Sequence, residues 1–126
     1  MSKEIIHTTA APAAIGPYSQ AVLAGGALYT SGQLGINPTT GELCCGVEMQ
    51  TEQALRNLGE ILAKAGMSYA SIVKTTVFVT DLGDFATVNT IYQRFFEGAF
   101  PARSCVQVAA LPKGGLVEIE CVAVNA

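Results

Sequence analysis

The sequence predicts an α+β fold in which two helices pack on one face of a mixed β-sheet. Two stretches repeat apolar residues at helical spacing, several runs are rich in β-branched residues, and glycines separate many of them. The predicted order is β-β-α-β-α-β-β, and a short extra strand at 4–7 is the one addition considered. The 126-residue chain shows no linker and no repeat, so we expect a single domain spanning 1–126.

The first predicted element is a hairpin within residues 18–34. Its two apolar runs, YSQAVLA and ALYTSGQL, are separated by consecutive glycines. Glycine supplies the positive φ that tight hairpin turns require. The next segment, 36–43, is predicted as a loop because its Asn-Pro pair and its glycine are typical of turns.

The first helix is predicted over residues 47–65. Leu55, Leu58 and Leu62 recur there at helical spacing, which places them on one face. Gly66 follows, and glycine adopts the left-handed conformation that ends helices without a steric penalty. We therefore expect the helix to stop at this glycine.

The remaining elements alternate between strand and helix. Strands are predicted at 71–80, 103–109 and 116–124, all rich in β-branched residues or in residues that alternate in character. The second helix is expected to begin at Asp84, whose side chain caps it, and to run to about Gly98.

The composition favours an oligomer. Hydrophobic residues make up 50% of the chain and charged residues only 13%. Mixed charges usually cover the surface of a small monomer, whereas obligate interfaces resemble a core cut in half. The alternative is a monomer whose surface is covered by its many Gly, Ser and Thr residues.

The charge balance and the N-terminus exclude several classes of protein. The net charge is −3 and no run of Lys or Arg occurs, so we expect no nucleic-acid partner. The first 18 residues lack a continuous apolar segment, and no apolar run is long enough to span a bilayer. We therefore expect a cytoplasmic protein with no membrane partner.

The cysteines do not form a metal-binding pattern. Cys44 and Cys45 are adjacent, Cys105 and Cys121 are isolated, no CxxC occurs, and His7 is the single histidine. Structural zinc sites use four Cys or His ligands at characteristic spacings. The sequence therefore predicts free thiols in a reducing compartment and no metal site.

Arg103 is the first candidate for chemistry. It lies in the otherwise apolar and small-residue strand FPARSCVQVAAL, where alternation places it on the same face as Cys105 and Gln107. A guanidinium on such a strand needs an anionic partner. A substrate carboxylate would match its planar donors. The alternative is a structural ion pair with Glu118 or Glu120.

These two glutamates form the second candidate. They lie two residues apart in LVEIECVAV and so share a strand face, while the apolar residues between and around them form the other, core-facing side. A glutamate in a partly dry cleft acquires a raised pKa and can act as a general base on water. The alternative is a solvated strand face.

Four further residues are weaker candidates. The hydroxyl of Tyr18 could bond a ligand, or its ring could simply pack on the sheet. Ser31 and Gly32 interrupt a strand, which often marks a bulge where a backbone N–H is aimed at an anion. Asn89 lies on the second helix away from the apolar stripe, where an exposed asparagine is the usual case.

No nucleophilic or nucleotide-binding motif accompanies these residues. The sequence contains no GxSxG, no Walker motif and no GxGxxG, and its single histidine lies near the N-terminus. Residue chemistry alone therefore predicts a carboxylate-binding pocket with an acid or a base.

These stretches resemble the Rid family, the reactive-intermediate deaminases also called YjgF-type proteins. The similarity covers essentially the whole chain and is carried most specifically by the segments GPYSQA, SGQ and PARSCVQVA, with AAPAAIGPYSQAV, LYTSGQLGINPTTGE, QTEQALRNLGEIL, IVKTTVFVTDLGDFATVNTIYQRFF and VEIECVAV beside them.

The resemblance implies a fold and an activity. The fold would be chorismate-mutase-like and homotrimeric, with a barrel-like interior, the helices outside and one cleft at each subunit interface. The activity would be hydrolysis of enamine and imine intermediates, such as 2-iminobutanoate and 2-iminopropanoate, to 2-oxo acids and ammonia. No cofactor and no metal would be needed.

The resemblance also implies roles for individual residues. Arg103 would bind the substrate carboxylate and Glu118 would position or activate water, while Glu120 receives no role. Cys105 would contribute its backbone rather than a nucleophilic thiol, and Gly32 a backbone N–H with Ser31 beside it. The residues implied to line or approach the cleft are Tyr18 and Asn89.

Three alternatives stay open. The same residues fit a Rid-type deaminase of a different aminoacrylate-type intermediate, or a protein that binds and senses small 2-oxo acids without catalysis. A ribonuclease is a third class, against which the acidic balance counts. The segment EGAFPARS looks shorter than in related bacterial deaminases, which leaves the preferred substrate open.

Overall fold

A computed structural model describes residues 2–125, which form one mixed sheet of seven strands with two helices. The elements, in chain order, are β1 Lys3–Ile6, β2 Ala21–Ala24, β3 Ala27–Thr30, β4 Gln33–Leu34, α1 Gly46–Lys64, β5 Ile72–Val79, α2 Phe85–Tyr92, β6 Ala102–Gln107 and β7 Val117–Val124. This arrangement confirms the predicted α+β class, and β1 corresponds to the extra strand considered at 4–7.

The sheet order is β1-β2-β3-β7-β5-β6, and β4 also pairs with β7. Every pairing is antiparallel except that of β5 with β6. That parallel pair needs a crossover, which α2 supplies. As a result β7 lies in the middle of the sheet, and β6 forms one of its edges.

The predicted interruption at Ser31-Gly32 is a β-bulge. Tyr29 pairs with Val122, but Gln33 pairs with Ile119, so the β3–β4 side carries one more residue than β7 over the same span. A bulge of this kind bends the strand locally and changes where its side chains point. The hairpin strand predicted to reach residue 34 is therefore two strands.

Both helices cover the same face of the sheet, as predicted. The apolar stripe of α1 is completely buried at Leu55, Leu58 and Leu62, and it packs against the inner side chains of β7, such as Ile119. Burying a side chain of this size contributes about 1.5–3 kcal/mol. This layer between helix and sheet is the core of the protein.

The C-terminus of α1 confirms the predicted stop at Gly66. This residue has φ +75°, its N–H donates to Ala63 O at 3.0 Å, and the N–H of Met67 donates to Leu62 O at 2.8 Å. These two bonds make a Schellman motif, in which the left-handed residue is nearly always glycine.

The second helix is shorter than predicted, and its extension to Gly98 is wrong. It ends at Tyr92, where a 3₁₀ turn, Gln93–Phe95, replaces it, and Phe96 is already extended. The sequence EGAFP follows, and its Gly98 has φ +84°. Glycine and proline both disfavour helix propagation, so the apolar stripe extends beyond the helix that it predicts.

The predicted cap at Asp84 is also wrong. Asp84 occupies the N-cap position of α2, but its side chain makes no capping bond and its backbone is close to helical. A 3₁₀ turn, Leu82–Asp84, precedes the helix, and Asp81 caps that turn by accepting from Gly83 N at 2.8 Å. The usual cap needs an extended backbone, which Asp81 has and Asp84 lacks.

The other face of the sheet has no helix over it and carries partly exposed apolar side chains. Tyr29 on β3 is 52% exposed and Val106 on β6 is 43% exposed, while Phe78 and Val122 are half-buried on the same face. We call this surface the open sheet face. Within residues 2–125, no helix combines the length and apolarity that crossing a bilayer would require.

We expect Gly35→Ala to lower the free energy of unfolding by about 3 kcal/mol, because overpacking against rigid backbone cannot relax. Gly35 directly follows β4, and a Cβ added there would lie 2.3 Å from the Cα of Gln50 in α1. Urea unfolding at fixed protein concentration measures the change.

Gly41→Ala is the matched control. Its added Cβ would meet nothing within 4 Å, but its φ of +76° strains any other residue. We expect that variant to lose only about 1 kcal/mol. Equal losses in the two variants would contradict the close-approach argument at Gly35.

Candidate active site

Arg103 lies on the helix-covered face of the edge strand β6. It pairs in register with Thr75 of β5, which in turn pairs with the core residue Cys121 of β7. Paired residues of neighbouring strands point to the same face, so the Arg103 side chain extends beneath α2. There its Nη1 donates to Asn89 Oδ1 at 2.8 Å.

Two aromatic rings of α2 complete the surroundings of Arg103. The guanidinium carbon lies 4.8 Å from the ring centroid of Tyr92 and 5.4 Å from that of Phe85. Both distances are within the range of cation–π attraction. We call Arg103, Asn89, Phe85 and Tyr92 the arginine cluster.

The alternative that Arg103 forms an ion pair with Glu118 or Glu120 is wrong. In the part of the chain from 2 to 125 the one ion pair joins Arg56 to Glu52. Both β7 glutamates alternate with buried core residues and therefore point to the open sheet face. Arg103 points to the opposite face, and among residues 2–125 no carboxylate lies within ion-pair distance of it.

Cys105 follows Arg103 on the same face of β6 and is half-buried. Burial raises the pKa of its thiol, and the positive charge of Arg103 only partly offsets this effect. The nucleophilic form of cysteine is the thiolate. The shift therefore favours the neutral thiol over the nucleophilic thiolate.

Glu118 lies in a separate cavity of about 460 Å³ on the open side of the sheet. The loop before β2, the β3–β4 bulge and the loop before β7 form its walls. We call this space the glutamate cavity. Its lining residues are Pro12, Ala13, Ile15, Tyr18, Gln20, Gly32, Gln33, Leu34, Ile36, Asn37, Pro38, Gly41, Pro112, Lys113 and Glu118.

The pKa of Glu118 is raised above its ordinary value. Burial is the larger cause, because it disfavours the charged form, and the neighbouring charge of Glu120 adds to it. When ionised, a carboxyl group with a raised pKa is a better proton acceptor than an ordinary glutamate. Glu118 therefore lies in a partly dry cavity and has a raised pKa.

Gly32 is where the bulge meets Glu118. A Cβ at this position would lie 2.7 Å from Glu118 Cδ, so only glycine lets the carboxyl group lie against the backbone without moving. The neighbouring Ser31 is tied down, since its Oγ donates to Ser19 O at 2.6 Å and its N–H donates to Gln20 O at 2.9 Å.

Tyr18 enters the glutamate cavity from the loop before β2. It is 51% exposed, and its hydroxyl oxygen accepts a long bond from Ile15 N at 3.4 Å. The hydroxyl proton stays available for a further acceptor. The structure therefore gathers Tyr18, Gly32 and Glu118 into one cavity, with Ser31 beside it.

The predicted site residues do not form one site within a single chain. Arg103, Asn89 and Cys105 belong to the helix-covered face at the β6 edge, whereas Tyr18 and Glu118 belong to the open side. A residue cannot cross a sheet to reach the other face. Each chain therefore carries two half-sites, the arginine cluster and the glutamate cavity.

Several residues of these half-sites were missed from the sequence. The rings of Phe85 and Tyr92 were interpreted only as an apolar stripe, although their spacing of four and three residues around Asn89 places all three on one helix face. That spacing was the available signal. Lys113, which has φ +58° in the wall of the glutamate cavity, gave no signal.

Gln20 was also missed, and it holds one wall of the cavity in place. It is 2% exposed, its Oε1 accepts from Thr8 N at 2.7 Å, and its Nε2 donates to Thr8 O at 3.0 Å and to Pro12 O at 2.8 Å. These bonds fix the segment that precedes β2. Nothing in the sequence pattern identifies this role.

No candidate metal centre emerges. Over residues 2–125, no group of three or more His, Cys, Asp or Glu side chains is placed to hold an ion. All four cysteines are free, and Cys45 is exposed at the start of α1.

A sequence model of a known family, described as Endoribonuclease L-PSP, matches residues 8–125. The chain belongs to this family. A Bos taurus protein named 2-iminobutanoate/2-iminopropanoate deaminase is 55% identical to it, over 98% of this chain and 90% of the relative.

Solved structures agree with the fold. A Rid-family protein from Yersinia pestis superimposes with a TM-score of 0.96 at 52% identity, covering 98% of this chain and all of the other. Escherichia coli TdcF, solved with bound serine, gives a TM-score of 0.95 at 48% identity and 98% coverage of both chains. The resemblance to the Rid family is thereby confirmed.

We expect Glu118→Gln to stabilise the protein at pH 7. Because the pKa of Glu118 is raised by folding, the folded chain binds more protons than the unfolded chain while this group titrates. Stability therefore falls as the pH rises through that range and stays lower above it. The variant should lose its advantage below about pH 4, where glutamate is neutral in both states.

Urea unfolding at pH 7 and at acid pH measures this difference. Glu42→Gln, which removes the same charge from an exposed loop residue, is the control and should show no comparable gain. A Glu118→Gln variant that is no more stable than the native protein at pH 7 would contradict the burial of this carboxyl group.

Proposed function

We propose that this protein is a cofactor-free hydrolase that converts small imino acids, such as 2-iminobutanoate and 2-iminopropanoate, to 2-oxo acids and ammonia. The observation that carries the proposal is Arg103, a cation held by an amide and two rings, with no carboxylate of residues 2–125 within ion-pair distance. A guanidinium in this state is suited to an incoming carboxylate. Mammalian relatives at 53–55% identity carry the corresponding deaminase name.

The cleft that performs this reaction lies between subunits. The arginine cluster and the glutamate cavity lie on opposite faces of one chain, so they can face each other only across an interface between copies. The open sheet face, with its exposed Tyr29 and Val106, supplies apolar area for that interface. We propose the homotrimer of the chorismate-mutase-like fold, with the open faces lining a barrel-like interior.

The reaction itself needs little machinery. Arg103 of one subunit binds the substrate carboxylate, and Glu118 of the next accepts a proton from a water that attacks the imine carbon. The imine nitrogen takes up a proton, which completes the tetrahedral adduct. The hydroxyl of that adduct then loses its proton and becomes the carbonyl of the 2-oxo acid as the C–N bond breaks, and the nitrogen takes up a second proton and leaves as ammonia. Holding the imine and the water together supplies most of the rate gain, and the base adds about 10²–10⁴-fold.

The other predicted residues would surround this substrate. Asn89 holds Arg103, and the Cys105 backbone borders the same half-site. From the opposite side Gly32 offers a backbone N–H, with Ser31 beside it, and Tyr18 offers a hydroxyl. That TdcF was solved with bound serine supports a pocket for small amino-acid-like molecules. We propose a cytoplasmic location, and no nucleic-acid substrate, given the net charge of −3.

The first test couples this protein to a threonine dehydratase in the presence of semicarbazide, which traps the free imine. We expect the native protein to speed the release of 2-oxobutanoate relative to trapping. Arg103→Ala should lower kcat/KM about 100-fold, since it removes charge-assisted bonds to the substrate carboxylate. Glu118→Gln should lower kcat by about 10²-fold or more.

An inactive native protein in this assay would overturn the proposed reaction. If it nevertheless binds 2-oxobutanoate and loses that binding in Arg103→Ala, the function moves to sensing of 2-oxo acids. Activity on a different aminoacrylate-type intermediate would instead change only the substrate.

Mixing the two inactive variants tests whether the cleft lies between subunits. When Arg103→Ala and Glu118→Gln chains are co-expressed, some interfaces receive an intact arginine from one chain and an intact glutamate from its neighbour. Random assembly of a closed ring should then restore about a quarter of the native activity. No restoration, with mixed oligomers confirmed by tandem affinity purification, would place both residues in one chain's site.

A further inference from the structure

Arg103 is held by an amide and two aromatic rings, an arrangement that imine hydrolysis does not itself require. An arginine could be held in place by one carboxylate, but here an amide and two rings do so. The planar guanidinium stacks on aromatic rings through its flat face, whereas carboxylates bind its edge, where the N–H groups lie. Contacts to rings therefore fix the side chain without using the donors that a substrate needs.

The two rings differ in how firmly they are held. Tyr92 is 4% exposed, packs on Phe96 with ring centroids 4.9 Å apart, and shares a hydrogen bond of 2.6 Å with the hydroxyl of Thr75. Thr75 is fully buried and is the residue of β5 that pairs in register with Arg103. Phe85, in contrast, is 41% exposed at the first turn of α2.

The buried hydroxyl pair thus connects the strand below Arg103 to the ring beside it. Neither hydroxyl has another hydrogen-bond partner among residues 2–125. A buried hydroxyl without a partner is costly, so the pair holds Tyr92 in one position relative to β5. Burial raises the pKa of the Tyr92 hydroxyl, which stays protonated at neutral pH.

We propose that Phe85 and Tyr92 are positioning residues that hold the Arg103 guanidinium by its face, leaving its N–H edge for the substrate carboxylate, with Thr75 fixing the Tyr92 ring. This inference rests on the proposed function, because it concerns the binding of the same carboxylate. It assigns the three side chains no contact with the reacting atoms.

Phe85 provides the cleaner test because it is partly exposed and its replacement leaves the core intact. Phe85→Leu should raise the Kd for 2-oxobutanoate about threefold and raise the KM for the imine similarly, with little change in kcat. Phe85→Tyr keeps a ring over the guanidinium and should retain native affinity. Isothermal titration or NMR titration measures Kd, and thermal unfolding checks that Tm is unchanged.

A double-mutant cycle separates positioning from direct contact with the substrate. If Phe85 acts through Arg103, Phe85→Leu should have no further effect on Kd in an Arg103→Ala background. Additive losses would mean that the ring contacts the ligand itself and would overturn the inference. An unchanged Kd for Phe85→Leu in the otherwise native protein would overturn it as well.

Variants of Thr75 test the buried hydroxyl pair that Thr75 forms with Tyr92. Thr75→Val removes the bond to Tyr92 and should raise Kd for 2-oxobutanoate, whereas Thr75→Ser keeps the hydroxyl and should restore native affinity. Pairing Thr75→Val with Tyr92→Phe removes both hydroxyls together and avoids an unsatisfied group, so a folded protein is available even if the single variant is unstable. Normal affinity in both folded variants would refute the role of the hydroxyl pair.

Different measurements test the proposed reaction and the proposed positioning of Arg103. Imine turnover tests the deaminase reaction, and binding of 2-oxobutanoate tests the hold on Arg103. A protein that binds 2-oxobutanoate in the predicted pattern without turning over imine overturns only the reaction. If imine is turned over but the Kd for 2-oxobutanoate is unchanged in every ring variant, only the positioning role is overturned. Failure of the native protein to bind 2-oxobutanoate would also overturn that role.

Discussion

Alternation of side chains along β7 is the constraint on which the rest of this structure depends. Every second residue of the strand is buried beneath the helices, and Glu118 and Glu120 occupy the positions between. Because β7 lies in the middle of the sheet, a shift of one residue would bury both glutamates and expose the core. The apolar half of the strand therefore fixes which face the carboxyl groups occupy.

The same alternation explains why the half-sites are separated. Strand register places Thr75 and Arg103 on the helix-covered face together with the buried residues of β7. Arg103 therefore lies beneath α2, whereas Glu118 lies on the open sheet face. The low content of charged residues fits this division, since neither face of the sheet is an ordinary solvated surface. One face is covered by the protein's own helices, and the other carries partly exposed apolar side chains.

The periodicity of the sequence therefore predicted most of the fold, whereas the layout of the sites depends on how distant strands pair. The stripe of α1, its glycine stop and the order of helices and strands along the chain follow from local spacing. The end of α2 was misjudged because apolar residues continue into a 3₁₀ turn. Strand alternation gave the correct face for Arg103 relative to its own strand, but the relation between β6 and β7 depends on pairing that no local pattern contains.

Because Arg103 and Glu118 lie on opposite faces of the sheet, they do not neutralise each other within one chain. Had they shared a face, the arginine and the glutamate could have neutralised each other in every isolated chain, and a substrate carboxylate would have had to displace the glutamate. The separation leaves the guanidinium against neutral groups and leaves a carboxyl group whose pKa is raised by burial. Since a buried charge without a partner is costly, both half-sites favour an arrangement that brings an anion to one and a proton donor to the other. A small imino acid and a water molecule together offer this combination, the first through its carboxylate and the second through its O–H groups.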